Sequence, residues 1–200
     1  MFSPIKIYLE ELDNICPPIG NQRKAALDQL AEIINKSQTK NLIFICTHNS
    51  RRSHFAQIWM HIACRHFGIG EKVLSYSGGT EATALNPRTA EALGRAGINV
   101  QKGTGDNPLY KLRFAEDIAP IEAFSKVYSH DSNPKNHFIA IITCDEAAEA
   151  CPLVTGAESR FMLRYKDPKV ADDSASECAT YDARCAEIAQ EMRYLAARIK

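Results

Sequence analysis

The residues from Asn41 to Met60, NLIFICTHNSRRSHFAQIWM, place a cysteine between an apolar run and a helical pattern. A short polar turn follows Cys46, and Arg52 stands six positions after it. A turn between a strand and a helix can direct backbone N–H groups into one concavity, and the helix N-terminus adds partial positive charge. The planar guanidinium of Arg52 would match a tetrahedral oxyanion. The stretch therefore predicts that Cys46 is a thiolate nucleophile in an oxyanion-binding loop.

A cysteine followed six positions later by an arginine is a weak signal by itself, because Cys178 and Arg184 repeat it. The second pair leads into a helical pattern and has no apolar strand before it, so we interpret it as accidental. The alternative for Cys46 is a buried structural thiol beside surface arginines, but a packing cysteine does not need a polar turn after it. Position at a strand end, rather than spacing, singles out Cys46. Ser53 could donate a hydrogen bond to its sulfur.

The elements that would position this turn alternate along the chain. Apolar runs at 41–46, 72–77 and 137–143 predict short buried strands, and helical patterns separate them. Such alternation predicts a parallel sheet that helices cover on both faces. Ligands bind beyond the carboxyl ends of the strands in sheets of this kind. Cys46 and Cys144 both stand at such ends.

Two regions depart from this alternation. The first forty residues carry two amphipathic helical patterns, which predict an N-terminal helical extension over residues 1–40 and a catalytic domain over 41–200. Residues 101–136 are the least regular part, with Pro108, Pro120 and the stretch SHDSNP. We expect an enlarged loop region there, with at most short helices.

Composition excludes several functional classes. Lys plus Arg and Asp plus Glu both total 24, and the resulting zero net charge argues against general binding of nucleic acid or anionic membranes. No signal peptide or transmembrane span is predicted, and the odd number of cysteines, seven, favours a reducing cytoplasm over a disulfide framework. Zinc-type cysteine and histidine spacing is absent, so neither a metal nor a cofactor is expected.

The stretches FICTHNSRRS, YSGGTEATALNPRTAEALGRAGI and RYKDPKV together resemble the low-molecular-weight protein tyrosine phosphatases and the thioredoxin-coupled arsenate reductases of the same fold. The resemblance covers about residues 41 to 199. It implies a three-layer α/β fold with a small parallel sheet of about four strands between helices. It also implies arsenate, phosphate or a phosphomonoester as the substrate.

The resemblance assigns roles to individual residues. Cys46 becomes the nucleophile, Ser53 tunes its thiol, and Asp167 in the Asp–Pro pair becomes the general acid. A carboxyl group over the cysteine could protonate a leaving oxygen, although an Asp–Pro pair can also simply begin a turn. The implied phosphate-binding loop consists of Thr47, His48, Asn49, Ser50, Arg51 and Arg52.

Two loop residues depart from a simple assignment. His48 replaces the glycine common in the phosphatases, which favours the reductase branch, and when protonated it could bind the anion. Arg51 is expected to face solvent.

The stretch ITCDEAAEACP distinguishes the branches, because Cys144 ends a strand and Cys151 follows seven residues later. The resemblance to the reductases implies a relay in which Cys144 attacks Cys46 and Cys151 attacks Cys144, with thioredoxin as the electron donor. If the segment 145–151 is helical, its ends lie about 10 Å apart, whereas a disulfide spans at most about 7 Å. The segment would therefore have to unwind on oxidation. The same spacing at Cys178 and Cys185 favours packing in the last helix.

Three functions stay open at this point. The first is arsenate reduction through Cys46, Cys144 and Cys151, and the second is phosphomonoester hydrolysis that uses only Cys46, Arg52 and Asp167. The third is a non-catalytic module that binds an anion or a phosphopeptide, which the joint presence of the catalytic residue types disfavours.

Overall fold

The computed structural model describes residues 1–150 and 153–200. Its helices are α1 (Ser3–Ile15), α2 (Asn21–Lys36), α3 (Arg52–His66), α4 (Pro87–Arg95), α5 (Asp145–Ala150) and α6 (Glu177–Ala196). Its strands are β1 (Lys40–Cys46), β2 (Val73–Gly79), β3 (Asn99–Lys102), β4 (Tyr110–Arg113), β5 (Ile121–Ala123), β6 (Phe138–Ile142) and β7 (Ala157–Met162). A short 3-10 helix covers Pro168–Ala171.

The central sheet has the strand order β2-β1-β6-β7, and all its neighbours are parallel. Its middle strands are apolar from Leu42 to Cys46 in β1 and throughout β6, because both of their faces are covered there. Leu42 and Phe44 face a core shared with α3 and α6, whereas Ile43 and Ile45 face a smaller core that includes Ala147 of α5. The predicted three-layer fold with a parallel sheet of about four strands is confirmed.

The N-terminal helices α1 and α2 pack against α6. Leu9 and Leu12 of α1 and Leu27 and Leu30 of α2 are fully buried in the same core as α3 and α6. The helices therefore contribute to the main hydrophobic core.

The region 101–136 differs from its prediction. It forms most of a separate antiparallel sheet with the order β3-β4-β5, so the expectation of at most short helices is wrong. Tyr110 pairs with Ala123 and Leu112 with Ile121, and these four side chains are buried. Strands of three or four residues offer only two inward positions each. An alternation of apolar and polar residues cannot be recognised in a sequence over so few positions.

Within the part of the chain that the structure describes, none of the helices combines the length and the apolar character that a membrane crossing needs.

Candidate active site

The loop that follows Cys46 joins the carboxyl end of β1 to the N-terminus of α3. Cys46 is the last residue of β1, and its side chain is almost completely buried. Its Sγ lies 3.1 Å from the hydroxyl oxygen of Ser53 in the first turn of α3. The sulfur therefore lies beside a hydroxyl group and near the positive end of a helix of 15 residues.

The carbonyl groups of this loop bond outward to neighbouring segments. The oxygen of Thr47 accepts a hydrogen bond from the backbone N–H of Glu81 at 3.0 Å, and that of Ser50 accepts one from the backbone N–H of Asn86 at 3.0 Å. These bonds occupy carbonyl groups of the loop, whereas the described residues show no backbone hydrogen bond donated by the N–H groups of residues 47–51. This arrangement suits an oxyanion.

Asn49 fixes the shape of the loop through both ends of its side chain. Its backbone has a φ of 44°, a left-handed conformation that asparagine tolerates better than most residues. Its amide nitrogen donates to the Ser53 hydroxyl at 2.9 Å, and its amide oxygen accepts from the backbone N–H of Lys126 at 2.9 Å. Asn49 thereby orients the hydroxyl that contacts Cys46.

Gly79 at the end of β2 allows the loop to pack closely. A Cβ atom at this position would lie 2.5 Å from the carbonyl oxygen of Thr47 and 2.8 Å from the backbone nitrogen of Asn49. Any side chain would therefore displace the loop, which explains why a glycine is needed here.

Arg52 and Asp167 are joined directly. The Nη2 atom of Arg52 donates to Oδ2 of Asp167 at 2.7 Å, and its Nη1 donates to the carbonyl oxygen of Tyr165 at 3.2 Å. A second carboxylate, from Glu146, lies 3.8 Å from Nη2. Asp167 also caps the 3-10 helix, because its Oδ1 accepts from the backbone N–H of Lys169. The structure therefore brings the predicted general acid to the end of the loop.

Arg51 does not face solvent, so that prediction is wrong. Its side chain is 13% exposed, its Nε donates to the hydroxyl of Tyr181 at 2.7 Å, and its Nη2 contacts Asp172 at 3.2 Å. The Tyr181 hydroxyl in turn donates to Asp172 at 2.8 Å. Because Asp172 directly follows the 3-10 helix that Asp167 caps, Arg51 ties the loop to the segment that carries the predicted acid.

His48 lies at the outer rim of the loop. Its imidazole is about half exposed and its Nε2 lies 3.4 Å from a carboxylate oxygen of Glu81. Its carbonyl oxygen accepts from the Ser125 hydroxyl at 2.8 Å. His48 thus helps to attach the loop to the segment before Lys126.

Cys144 lies next to the loop, because β6 is the neighbour of β1 in the sheet. Its sulfur is 3.5 Å from the Thr47 hydroxyl and accepts from the backbone N–H of Ala147 at 3.4 Å. The side chain is buried, and burial raises the pKa of this thiol above its ordinary value. Cys144 is therefore protonated in the resting site at neutral pH.

The other cysteines of the sequence analysis lie in different surroundings. Cys151 lies outside the described residues. Cys185 is buried in the main core, where it accepts a hydrogen bond from the indole of Trp59 at 3.2 Å, and Cys178 is exposed. These environments agree with packing rather than with a second site.

Some residues that shape the site carry no local sequence signal. Ser125 and Lys126 reach the loop from the irregular region, and Tyr165 contacts Arg52 through its carbonyl group. The residue types around Ser125 and Lys126 do not indicate that this segment contacts the loop. Tyr165 follows β7, a strand that the sequence analysis did not predict.

Cys46 ends a central strand of the parallel sheet, a polar loop follows it, and Arg52 begins the next helix. Together with the relatives reported below, this arrangement places the chain among enzymes of the phosphatase and arsenate reductase class. The family model of low molecular weight phosphotyrosine protein phosphatases matches residues 41–117. This match and the curated arsenate reductase described next together show that the chain belongs to the low-molecular-weight phosphatase superfamily, in its arsenate reductase branch.

Curated relatives of the chain include arsenate reductases. One from Bacillus licheniformis is 30% identical over 138 residues, covering 69% of this chain and 81% of the relative. Arsenate reductase 2 of Staphylococcus haemolyticus is 38% identical over 135 residues, covering 64% and 79%. Among solved structures, a low molecular weight protein tyrosine phosphatase from T. tengcongensis is similar with a TM-score of 0.56 and 13% identity, covering 80% of this chain and 99% of the other. The structural similarity concerns the fold.

Proposed function

We propose that this chain reduces arsenate to arsenite, with Cys46 as the nucleophile and Cys144 as the second thiol. The observation that carries the proposal is the position of Cys144, whose sulfur lies 3.5 Å from the hydroxyl of the loop residue Thr47. Hydrolysis of a phosphate ester needs one thiol, and a second thiol at the loop serves a redox step. The similarity to curated arsenate reductases supports the same function.

In the first step, the Cys46 thiolate attacks the arsenic atom of arsenate and an oxygen leaves as water. Arg52 and the N–H groups of the loop hold the oxyanion, and Asp167 gives the leaving oxygen its proton. Ser53 donates a hydrogen bond to the sulfur when it carries negative charge. The product is a covalent adduct between sulfur and arsenate.

In the second step, the Cys144 sulfur attacks the Cys46 sulfur, and the proton of the Cys144 thiol passes to an oxygen of the departing arsenite. A bond between the two sulfurs forms, the bond between sulfur and arsenic breaks, and arsenic leaves as arsenite with the electron pair. We propose that Cys151 then attacks the Cys144 sulfur and releases the Cys46 thiolate. A dithiol protein of the thioredoxin class would reduce the resulting disulfide, which places the enzyme in a reducing cytoplasm.

A phosphomonoester phosphatase is the second candidate, and the pairing of Arg52 with Asp167 favours it. These two residues and Cys46 provide an oxyanion ligand, an acid and a nucleophile, which are enough for ester hydrolysis through a cysteinyl phosphate. Weak phosphatase activity is expected of a reductase that shares this loop.

The decisive experiment measures arsenate turnover with thioredoxin, thioredoxin reductase and NADPH, beside hydrolysis of para-nitrophenyl phosphate. Cys144→Ser should abolish repeated arsenate turnover and leave ester hydrolysis intact, whereas Cys178→Ser, the matched exposed control, should leave both unchanged. Undiminished arsenate turnover in Cys144→Ser would refute the relay. Ester hydrolysis without any arsenate reduction in the unmodified enzyme would establish the phosphatase instead.

We also propose that residues 1–40 form an extension that supports the catalytic domain of residues 41–200. Arg23 of α2 binds Glu191 of α6 at 2.6 Å, and Glu191 accepts a hydrogen bond from the Tyr165 hydroxyl at 2.6 Å. The Tyr165 carbonyl group in turn holds Arg52. The extension thus stabilises the position of the residue proposed to bind the oxyanion.

A further inference from the structure

A cavity lies apart from Cys46, between α3, β2 and the segment from Asp117 to Asn133. Its volume is about 550 Å³, which is within the range of sites for small molecules. Gln57 and His61 of α3 line one wall, and Phe124, Lys126 and Asn133 line the opposite region. The residues 46–53 of the catalytic loop do not contribute to its lining.

Three buried polar atoms of side chains that line this cavity lack hydrogen bonds. Oε1 of Gln57, Nε2 of His61 and Oδ1 of Asn133 are buried and find no partner within residues 1–150 and 153–200. Gln57 is 7% exposed and Asn133 is 4% exposed. An unsatisfied buried polar group costs about 1–3 kcal/mol, so a ligand that donates hydrogen bonds here would be stabilised.

The surroundings of Asn133 and His61 indicate which hydrogen bonds these two side chains can accept. The amide nitrogen of Asn133 donates to the carbonyl oxygens of Ser77 at 3.0 Å and Tyr128 at 3.1 Å, so its other amide atom must be the oxygen. Burial lowers the pKa of His61 to about 4, so the ring is neutral at pH 7 and one of its nitrogens can accept. Asn133 therefore offers an oxygen acceptor to an N–H donor, and His61 offers a second acceptor at Nε2 in its Nδ1–H tautomer.

Lys126 contributes a buried positive charge to the cavity. Its side chain is 5% exposed, and its ammonium group lies over the ring of Phe124, 4.7 Å from the centroid. Among the described residues, burial is the one cause that shifts its pKa, to about 8, so no carboxylate there stabilises the charge. At pH 7 the group is still mainly cationic. A buried cation of this kind calls for an anionic partner.

Exposed carboxylates also line the cavity. Asp117 and Glu122 are exposed there, while Glu71 is engaged by Arg65. These carboxylates would repel a second anionic group and attract a cationic one. Leu74 and Ile121, also in the lining, add apolar surface.

We propose that this cavity binds a zwitterionic α-amino acid with an apolar or aromatic side chain. Its carboxylate would pair with Lys126, and its ammonium group would donate to the unsatisfied acceptors of Gln57, His61 and Asn133. Its side chain would pack against Phe124, Leu74 and Ile121. The site is separate from the oxyanion loop, and its occupation does not depend on the reaction proposed above.

The test is isothermal titration calorimetry with L-phenylalanine and L-leucine, in phosphate buffer that saturates the catalytic loop. Two analogues of phenylalanine serve as matched ligands, because 3-phenylpropionate lacks the ammonium group and phenethylamine lacks the carboxylate. We expect saturable binding of at least one amino acid, and binding at least about tenfold weaker for its two one-charge analogues, since a charge-assisted hydrogen bond contributes about 1.5–3 kcal/mol.

Lys126→Met removes the cation at similar side-chain length and should weaken binding at least about tenfold. Lys111→Met on the exposed side of β4 is the control and should bind as the unmodified protein does. Side-chain amide signals of Gln57 and Asn133 in nitrogen-15 spectra of the unmodified protein should shift on titration, a readout that does not require a variant to fold.

Two results would overturn the proposal. They are a cavity that holds water only and binds neither amino acid, and analogues that bind as tightly as the amino acid.

Discussion

The carboxylate of Asp167 binds the guanidinium of Arg52, with 2.7 Å between Oδ2 and Nη2. The same guanidinium is the side-chain donor group proposed to hold the oxyanion. In the unliganded site, the proposed acid therefore occupies the donors that the substrate needs. Substrate binding and the release of Asp167 from Arg52 must be coupled, and this release would leave the carboxyl group close to the leaving oxygen.

Replacement of Asp167 by Asn should have opposite effects on binding and on catalysis. Inorganic phosphate should inhibit Asp167→Asn about fivefold more tightly, because it no longer displaces a partly exposed ion pair of about 1 kcal/mol. Hydrolysis of an aryl phosphate should slow by about 100-fold or more, because the acid is lost. Steady-state kinetics with phosphate as inhibitor measures both changes. Asp173→Asn, which removes a nearby exposed carboxylate bound to Arg88, is the control; equal effects in the two variants would contradict the coupling.

Arg51 should position Asp167 without touching the substrate. In Arg51→Gln, the loop loses its contacts with Asp172 and Tyr181, so the segment that carries the acid is less well placed. We expect kcat for aryl phosphates to fall about tenfold while KM changes little, since small misplacements of catalytic groups are costly. The control is Arg95→Gln, whose ion pair with Asp182 lies on the outer surface. A change in KM alone would show that Arg51 binds substrate instead.

Cys144 should react slowly with alkylating reagents at neutral pH. Burial raises its pKa, so the thiolate fraction is small below the raised pKa and grows as pH increases through it. In Cys46→Ser protein, iodoacetamide labelling at pH 7 should be at least about tenfold slower at Cys144 than at exposed Cys178. The labelling rate at Cys144 relative to that at Cys178 should rise with pH. Mass spectrometry of the labelled peptides measures both rates. Equal labelling rates at pH 7 would exclude a protonated, protected Cys144.

Arg23 should be important for stability although it lies outside the catalytic loop. Arg23→Met leaves the carboxylate of Glu191, whose side chain is 5% exposed, without its cationic partner. The free energy of unfolding should fall by about 3 kcal/mol, because a buried charge is left uncompensated. Urea unfolding followed by circular dichroism measures this change. Lys36→Met interrupts the exposed pair with Glu32 and should cost less than about 0.5 kcal/mol; comparable losses in both variants would contradict a special role of Arg23.

The local part of the site could be predicted from the sequence because its signals are short in range. A strand, a polar turn and a helix follow one another around Cys46, and Arg52 and Ser53 are fixed within one turn of that helix. The alternation of strands and helices also predicts that the ends of β1 and β6 meet at one edge, which is why Cys144 was expected near Cys46. Arg51 was wrongly expected to face solvent, because its partners Asp172 and Tyr181 lie more than a hundred residues away.

The sequence by itself determined the parallel sheet and the strand, turn and helix around Cys46, because apolar periodicity and backbone turns act over a few residues. Only the tertiary structure decided that Asp167 pairs with Arg52, that Lys126 holds Asn49 and faces a second cavity, and that residues 101–136 contain antiparallel strands. These features depend on which segments, distant in sequence, contact each other. Such contacts form only when the whole core folds.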